Sequence, residues 1–401
     1  MKEIKLLCVS ADANSNKFYN MTELGDGTFQ AVYGRVGNPG VKEIYPMSKW
    51  DAKLKEKIKK GYKDITGTSS SIVKKDVSQN LASLRPAVRD LLEKLNRYAK
   101  EAFKLNYTVE ISDVSEALVD NAQDIINSIN ASVEIGADYN DINDSLLRLY
   151  NIIPRKIKNV KESLVPSPIK DADMVQKVQE KMAIEQGLLD VVRGQIAKKP
   201  TNDGSKTLNY LDSLGLDIEE VSGKEADMLK RMMGSSKGRY RNAYRVTNFK
   251  TQRAFDSEVS KSKNKKTMLL FHGSRSENWL NIIKSGLVLH PDATVTGKLF
   301  DNGIYFADDA DKSLGYISGG RWNNASSNDN WLAVYDVHVG KQARYPDLPS
   351  RNVKLDKWVP ANGYDSYFAD KNVERRYSLR KDEFIVYDEA KCTIKYLIHI
   401  K

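Results

Sequence analysis

The spacing of apolar positions along the chain changes twice. From residue 1 to about 65, apolar and polar residues alternate between turn signals at Gly25-Asp-Gly27 and Gly34 to Gly40, and Trp50 to Tyr62 then carries lysine-rich, helix-like spacing. This pattern predicts a small antiparallel sheet with one helix. Thr66-Gly-Thr-Ser-Ser-Ser71 is short, polar and unpatterned, as a linker is. From about residue 80, Leu84, Val88, Leu91, Leu92, Leu95, Tyr98, Ala99, Ala102 and Phe103 recur three or four apart. Pro86 lies near the start of that helix, where its missing N–H costs nothing. Ser112 to Ile129, Asp141 to Tyr150 and Asp171 to Ile196 repeat the helical pattern, the last with Asp171 and Asp173 at the end that favours negative charge. Lys199 to Ser205 breaks it. Beyond residue 206 short helices alternate with strands, and Cys392, Ile394, Tyr396, Ile398 and Ile400 fall on one face of a final strand. The chain therefore reads as multidomain α+β, with boundaries at 1–72, 78–200 and 201–401.

Composition sharpens this division. With 401 residues and 40% apolar content, each part can bury its own core. The formal charge of +10 is concentrated at the ends: residues 1–80 hold 14 Lys/Arg against 9 Asp/Glu, whereas residues 81–200 are balanced at 17 against 18. A basic first segment, with six lysines between Lys53 and Lys63, suits a polyanion partner, although a solvated helix face has the same composition. Cys8 and Cys392 stand far apart with no CxxC and no His cluster, so neither a zinc site nor a disulfide framework is indicated, and reducing, intracellular surroundings are expected. No run of about 18 apolar residues and no signal-like h-region is present, so no membrane association is expected.

Three short motifs carry polar residues inside strand-like apolar runs: His272 in Leu270 to Arg275, Tyr305 in Gly303 to Asp308, and Glu383 in Asp382 to Asp388. Singly, each has an ordinary structural explanation: a satisfied histidine, a core tyrosine, a surface carboxylate. Together, strand ends could bring them to one cleft. Neither GxxxxGK[ST] nor a GxGxxG after a strand occurs, which removes P-loop and Rossmann readings.

The ordered set His272-Gly-Ser, Gly303-Ile-Tyr-Phe-Ala-Asp308 and Glu383-Phe-Ile-Val-Tyr-Asp388 resembles the His-Tyr-Glu signature of poly(ADP-ribose) polymerases, over residues 206–401. The resemblance implies a mixed α+β ADP-ribosyltransferase domain that uses NAD+ as substrate and no metal. Cleaving the nicotinamide–ribose bond develops oxocarbenium character, which a nearby carboxylate stabilises, and Glu383 is the candidate. By resemblance Glu383 also binds a ribose hydroxyl and activates the acceptor, and His272 binds the 2′-hydroxyl of the adenine-side ribose. Gly273 presents its backbone to the nicotinamide amide, Tyr305 and Tyr316 flank the pyridinium ring, and Ser274 and Ser313 add hydrogen bonds.

Leu146 to Pro154, Ala172 to Val175 and Gly187 to Asp190 resemble that family's all-α regulatory bundle, which implies packing over the cofactor cleft with Asp190 near the adenosine. Phe18-Tyr-Asn20 and Ala31 to Gly37 resemble a WGR domain in which Tyr33 replaces the usual Trp and Arg35 is retained, implying contacts to DNA ends. Departures from the family pattern fall at Val288, where the family commonly has an Arg near the adenosine, at Asn281, where a Gly is frequent, and at Leu299, Lys381 and Asp382, where polymerising members hold the acceptor chain. The loop Arg344 to Arg380 is poorly matched. The resemblance as a whole implies a transferase stimulated by DNA strand breaks that builds polymer on proteins, itself included. Its setting would be the nucleus in a eukaryote, or the cytoplasm or nucleoid in a prokaryote. Mono-transfer by the same cleft, or a DNA-end-binding module with weak or no transferase activity, are the alternatives.

Overall fold

A computed structural model of the chain describes residues 2–11, 14–66, 81, 83–165, 172–196, 210–289, 299–317 and 329–401. Most of the expected linker at 66–71, the break at Lys199 to Ser205, Asp171 and the side chain of Asp173 lie outside the described residues. The architecture is mixed α+β with largely antiparallel sheets, divided into two compact units. One takes the described residues up to 66 and from 101 to 196; the other takes those from 81 to 100 and from 210 onward.

In the first unit, strands β1 (Glu3–Ser10), β2 (Ser15–Glu23), β3 (Thr28–Arg35), β4 (Val41–Pro46) and β5 (Lys63–Asp64) form one antiparallel sheet of order β4-β3-β2-β1-β5. Helix α1 (Trp50–Lys59) covers it, and its Trp50 meets Phe29 edge-on with ring centroids 5.0 Å apart. Leu6, Tyr19, Met21 and Ala31 complete this core, each buried Leu or Phe side chain contributing roughly 1.5–3 kcal/mol. At Gly40 (φ +78°) a Cβ would lie 2.7 Å from the Phe18 ring and 2.9 Å from the Tyr33 carbonyl oxygen, so the hairpin requires glycine there.

Helices α2 (Pro86–Asn106), α3 (Glu116–Glu134), α4 (Tyr139–Ile152) and α5 (Ala172–Gln195) follow. Pro86 is the first residue of α2, as its chemistry favours. Helix α3 starts later than its apolar spacing suggested because Ser115, not Ser112, caps it by accepting from Leu118 N. Asp138 caps α4 in the same way, accepting from Asn140 N at 2.7 Å. Phe103, Ile126, Ile129, Leu146, Tyr150 and Val192 share one core. Polar ties join sheet and helices within this unit: Asn16 Nδ2 donates to Arg155 O at 2.9 Å, and Val160 N donates to Asn14 Oδ1 at 2.8 Å.

The second unit holds two sheets. The first has order β6-β7-β14-β10-β8, from β6 (Leu216–Glu220), β7 (Tyr240–Asn248), β8 (Thr267–Gly273), β10 (Asn330–His338) and β14 (Cys392–Ile400). The second has order β11-β12-β13-β9, from β9 (Ile304–Phe306), β11 (Gln342–Ala343), β12 (Ser366–Ala369) and β13 (Glu383–Val386). Helices α6 (Tyr210–Leu214), α7 (Gly223–Met232), α8 (Phe249–Lys261), α9 (Trp279–Ser285), α10 (Ala310–Leu314) and α11 (Leu355–Ala361) complete this unit, together with α2 up to Lys100. The sheets meet where Phe271 and Ala307 exchange backbone hydrogen bonds of 2.7 and 3.1 Å. The final strand is buried on both faces rather than one, because it runs centrally between β7 and β10 and Thr393 on its second face meets Thr251 of α8 at 3.0 Å. Among the described residues, no helix is long and apolar enough to cross a membrane.

Candidate active site

The Phe271–Ala307 bridge brings the end of β8 to the end of β9, and β13 pairs with β9 so that Ile385 faces Tyr305 and Phe384 faces Phe306. His272, Tyr305 and Glu383, far apart in sequence, are thereby carried on three neighbouring strand ends. His272 Nδ1 lies 3.0 Å from the Tyr305 carbonyl oxygen, which fixes the ring orientation. Trp279, Phe306 and Tyr335 pack around it at centroid distances of 6.4, 5.7 and 5.9 Å.

Glu383 begins β13 and is only 4% exposed, so it is not the solvated carboxylate its acidic neighbour Asp382 suggested. Its Oε1 is ion-paired with Lys312 Nζ from α10. A buried carboxylate without such a partner would be costly, so this cation offsets the burial of Glu383. Sequence reasoning missed Lys312 because an isolated lysine is usually solvated; its place directly before Ser313 was the available signal. Tyr305 Oη donates to the Asp301 carbonyl oxygen at 2.8 Å and accepts from Phe300 N at 2.9 Å. Burial, aided by the charge of Glu383, pushes its phenol well above the usual range, so it stays protonated. Burial raises the Tyr316 phenol too, and Glu383 is again the charge that adds to it.

Gly273 shows the closest packing of the site: a Cβ there would fall 2.0 Å from the Ser313 carbonyl oxygen, so any side chain would drive α10 off β8. Ser313 is itself buried. Ser274 Oγ accepts from Asn278 Nδ2 at 3.1 Å. On the flank of Glu383, Lys381 pairs with Asp309, and Lys371 binds Asp382 through its backbone N at 2.8 Å and its Nζ at 3.2 Å. Asn281 is buried and accepts from Ser285 Oγ at 3.2 Å, whereas Val288 and Leu299 are exposed.

The remaining sequence candidates belong to the first unit. Asp190 on α5 accepts from Gln186 Nε2 at 3.1 Å. Tyr33 stacks on Tyr19 with centroids 5.4 Å apart and donates to Glu43 at 2.8 Å. Arg35 donates to the carbonyl oxygens of Asn14 at 2.9 Å, Ile157 at 3.4 Å and Lys158. Of the six lysines, Lys57 and Lys53 lie over Tyr19 and Tyr45 at 4.3 and 4.7 Å, and Lys53, Lys57 and Lys60 share Glu56.

Among the described residues one His/carboxylate cluster has metal-like spacing: Glu258, His338 and Asp365 bring ligand atoms within 4.8 Å of one another. Lys391 Nζ already sits 2.9 Å from both carboxylates, so a built-in ammonium supplies the positive charge there.

Comparison with known proteins agrees with this constellation. Residues 219–401 match the family model of the poly(ADP-ribose) polymerase catalytic domain. A poly [ADP-ribose] polymerase-like protein, 100L, of Invertebrate iridescent virus 6 is 36% identical over 162 residues, covering 39% of this chain and 83% of the relative. Protein 101L of the same virus, which carries no functional name, is 33% identical over 208 residues, covering 52% of this chain and 83% of the relative. Poly [ADP-ribose] polymerase 2 of Arabidopsis thaliana is 24% identical over 465 residues, covering 97% of this chain and 71% of the relative. With His272, Tyr305 and Glu383 on adjoining strand ends inside the matched region, the chain belongs to the poly(ADP-ribose) polymerase family and is an ADP-ribosyltransferase that uses NAD+ as its substrate.

Proposed function

We propose that the chain is a DNA-break-stimulated enzyme that builds poly(ADP-ribose) on protein acceptors, itself included. The observation that carries this reading is the buried Glu383 carboxylate, held by Lys312 near the part-buried Tyr305, whose phenol feels its charge. In this reading Gly273 and Ser274 hold the nicotinamide amide, Tyr305 and Tyr316 flank its ring, Ser313 supports it, and His272 binds the adenine-side ribose. As nicotinamide leaves as a neutral base, positive charge grows at the anomeric carbon. Glu383 stabilises that charge and takes up the proton of the attacking acceptor hydroxyl. Lys312 keeps the carboxylate oriented for both tasks.

The division into 1–72, 78–200 and 201–401 supplies the regulation in this reading. The first part, WGR-like with Tyr33 and the α1 lysines on its surface, binds a broken DNA end; the helical part, with Asp190 on the adenosine side, restrains the cleft until it does. Arg35, bonded to the carbonyls of Ile157 and Lys158, serves here as the tie between DNA-binding sheet and helices as well as a phosphate contact. The test is incorporation of labelled NAD+ with and without nicked or 5′-phosphorylated duplex DNA. A ladder that appears with DNA supports the reading, and deleting residues 1–70 should remove the stimulation and keep basal activity. Unchanged activity in the deletion contradicts the switch.

One observation favours mono-transfer instead: the residues beside Glu383 are closed into Lys381–Asp309 and Lys371–Asp382 ion pairs. A single discrete labelled band under excess NAD+ would decide for it.

A further inference from the structure

Asp329, directly before β10, gathers a set of contacts that the chemistry above does not use. Its Oδ1 lies 2.9 Å from His399 Nε2 of β14 and accepts from Arg241 Nη1 of β7 at 3.1 Å. Its Oδ2 accepts from Tyr98 Oη at 2.9 Å and lies 3.6 Å from Lys94 Nζ. Lys94 and Tyr98 are four apart on α2 and so share one helix face. Trp331, two residues on and buried, stacks on His399 with centroids 4.4 Å apart, which stiffens the carboxylate's surroundings. Burial, with Asp329 adding to it, pushes the Tyr98 phenol up to about 12, so at neutral pH this hydroxyl is a committed donor.

The main chain of the same residue faces the active-site loop. Asp329 O accepts from the hydroxyl of Ser276 at 3.0 Å, and Ser276 is 3% exposed. Ser276 opens the short turn whose Asn278 holds Ser274 at 3.1 Å. Residues 273–278 thus leave β8 at Gly273, pinned there against α10, and are fastened at their far side to Asp329. A single residue joins the Lys94–Tyr98 face of α2, the strand ends of β7 and β14, and the loop that carries Gly273 and Ser274.

We propose that Asp329 is a positioning residue through which the first half of α2 supports the nicotinamide end of the NAD+ site. The inference rests on the reading of Gly273 and Ser274 as the nicotinamide contacts. It gives α2 up to Lys100 a sign opposite to restraint: loosening its hold on Asp329 weakens the site rather than opening it.

The test is calorimetric titration of nicotinamide into the full-length wild type, Tyr98→Phe, Ser276→Ala and the double variant, with the melting temperature of each and the KM and kcat for NAD+ alongside. Tyr98→Phe removes one hydrogen bond without changing volume. We expect it to raise the nicotinamide Kd and the KM about three- to tenfold with kcat within about twofold, and Ser276→Ala to do likewise. The double variant should be clearly less than additive, because both act through Asp329. Wild-type affinity in both single variants, additive losses, or faster turnover in Tyr98→Phe would each overturn the proposal, even if melting temperatures fall. Absence of nicotinamide binding by the wild type would instead overturn the underlying assignment of the site, and this inference with it.

Discussion

Among the described residues, each unit of the molecule holds a buried carboxylate ion-paired with a cation, and the two pairs differ in what surrounds them. Glu185 on α5 is 6% exposed and paired with Arg155; Glu383 is 4% exposed and paired with Lys312. Around Glu185 everything closes inward. Tyr150 Oη lies 3.4 Å away and also donates to Ser163 O at 2.9 Å, while the guanidinium rests over Tyr107 and Tyr150 at 5.0 and 5.9 Å. Burial alone would lower the Arg155 pKa, yet Glu185 and the two phenols hold it above its ordinary value, so the guanidinium stays charged. Glu383 instead stands at a strand start, its ion-pair partner Lys312 comes from a five-residue helix, and the neighbouring Tyr316 is 45% exposed. Similar burial is therefore compatible with two different roles. The neighbours of Glu185 bond one another, as in a core, whereas for Glu383, ion-paired with Lys312, we propose contact with substrate.

Substitutions should separate these roles, and the largest effect is expected at Glu383. Glu383→Gln keeps shape and removes charge; turnover of NAD+ should fall by about 10²–10⁴-fold, while nicotinamide binding and melting temperature stay close to wild type. A comparable loss of all three would make Glu383 a folding residue like Glu185. Next in size, Arg155→Met strands a buried charge and should cost about 3–5 kcal/mol of stability in denaturant titration. Adding Glu185→Leu should restore much of it, since an apolar pair of similar volume is tolerated there. No recovery would mean that the ion pair does more than fill the core.

Lys312→Met probes the middle case. If the lysine chiefly orients Glu383, turnover should drop about tenfold or more with a smaller stability loss than Arg155→Met produces, and Lys312→Arg should recover part of the rate. The smallest effect concerns acid stability. Burial would raise the Asp329 pKa, but hydrogen bonds from His399 and Tyr98 and the charge of Lys94 lower it on balance. A carboxyl depressed in the folded state contributes stability that is complete above its unfolded value, near about 4, and lost as pH falls through the lower folded value. Asp329→Asn should lower the melting temperature at neutral pH and flatten its acid limb, so that the gap to wild type closes as pH falls below about 4.

The two units also differ in how openly their sequence announced them. Helices α2 to α5 follow from apolar residues three and four apart, and the start of α3 shifts because Ser115 caps it. His272, Tyr305 and Glu383 were legible because each sits in a strand-forming run, and strand pairing then carried them together. Lys312 was not, since nothing in its own sequence context distinguishes a lysine that folds inward onto a carboxylate from one that is solvated. Asp329 escaped for a related reason: it stands in a polar stretch before β10, and its partners Tyr98, Arg241 and His399 come from three distant segments. Arg35 illustrates the converse, a recognisable residue whose carbonyl partners at 157 and 158 only the fold reveals. The final strand was read as one-faced because alternation is the stronger signal, yet a central strand covered by α8 buries both faces.

The most direct test of the account is labelled NAD+ incorporation by wild type and Glu383→Gln side by side, with nicotinamide affinity measured on the same preparations. The wild type is expected to be labelled, the variant to be nearly silent, and both to bind nicotinamide alike. Undiminished labelling by Glu383→Gln, or nicotinamide binding lost together with activity, would contradict the role given to this carboxylate.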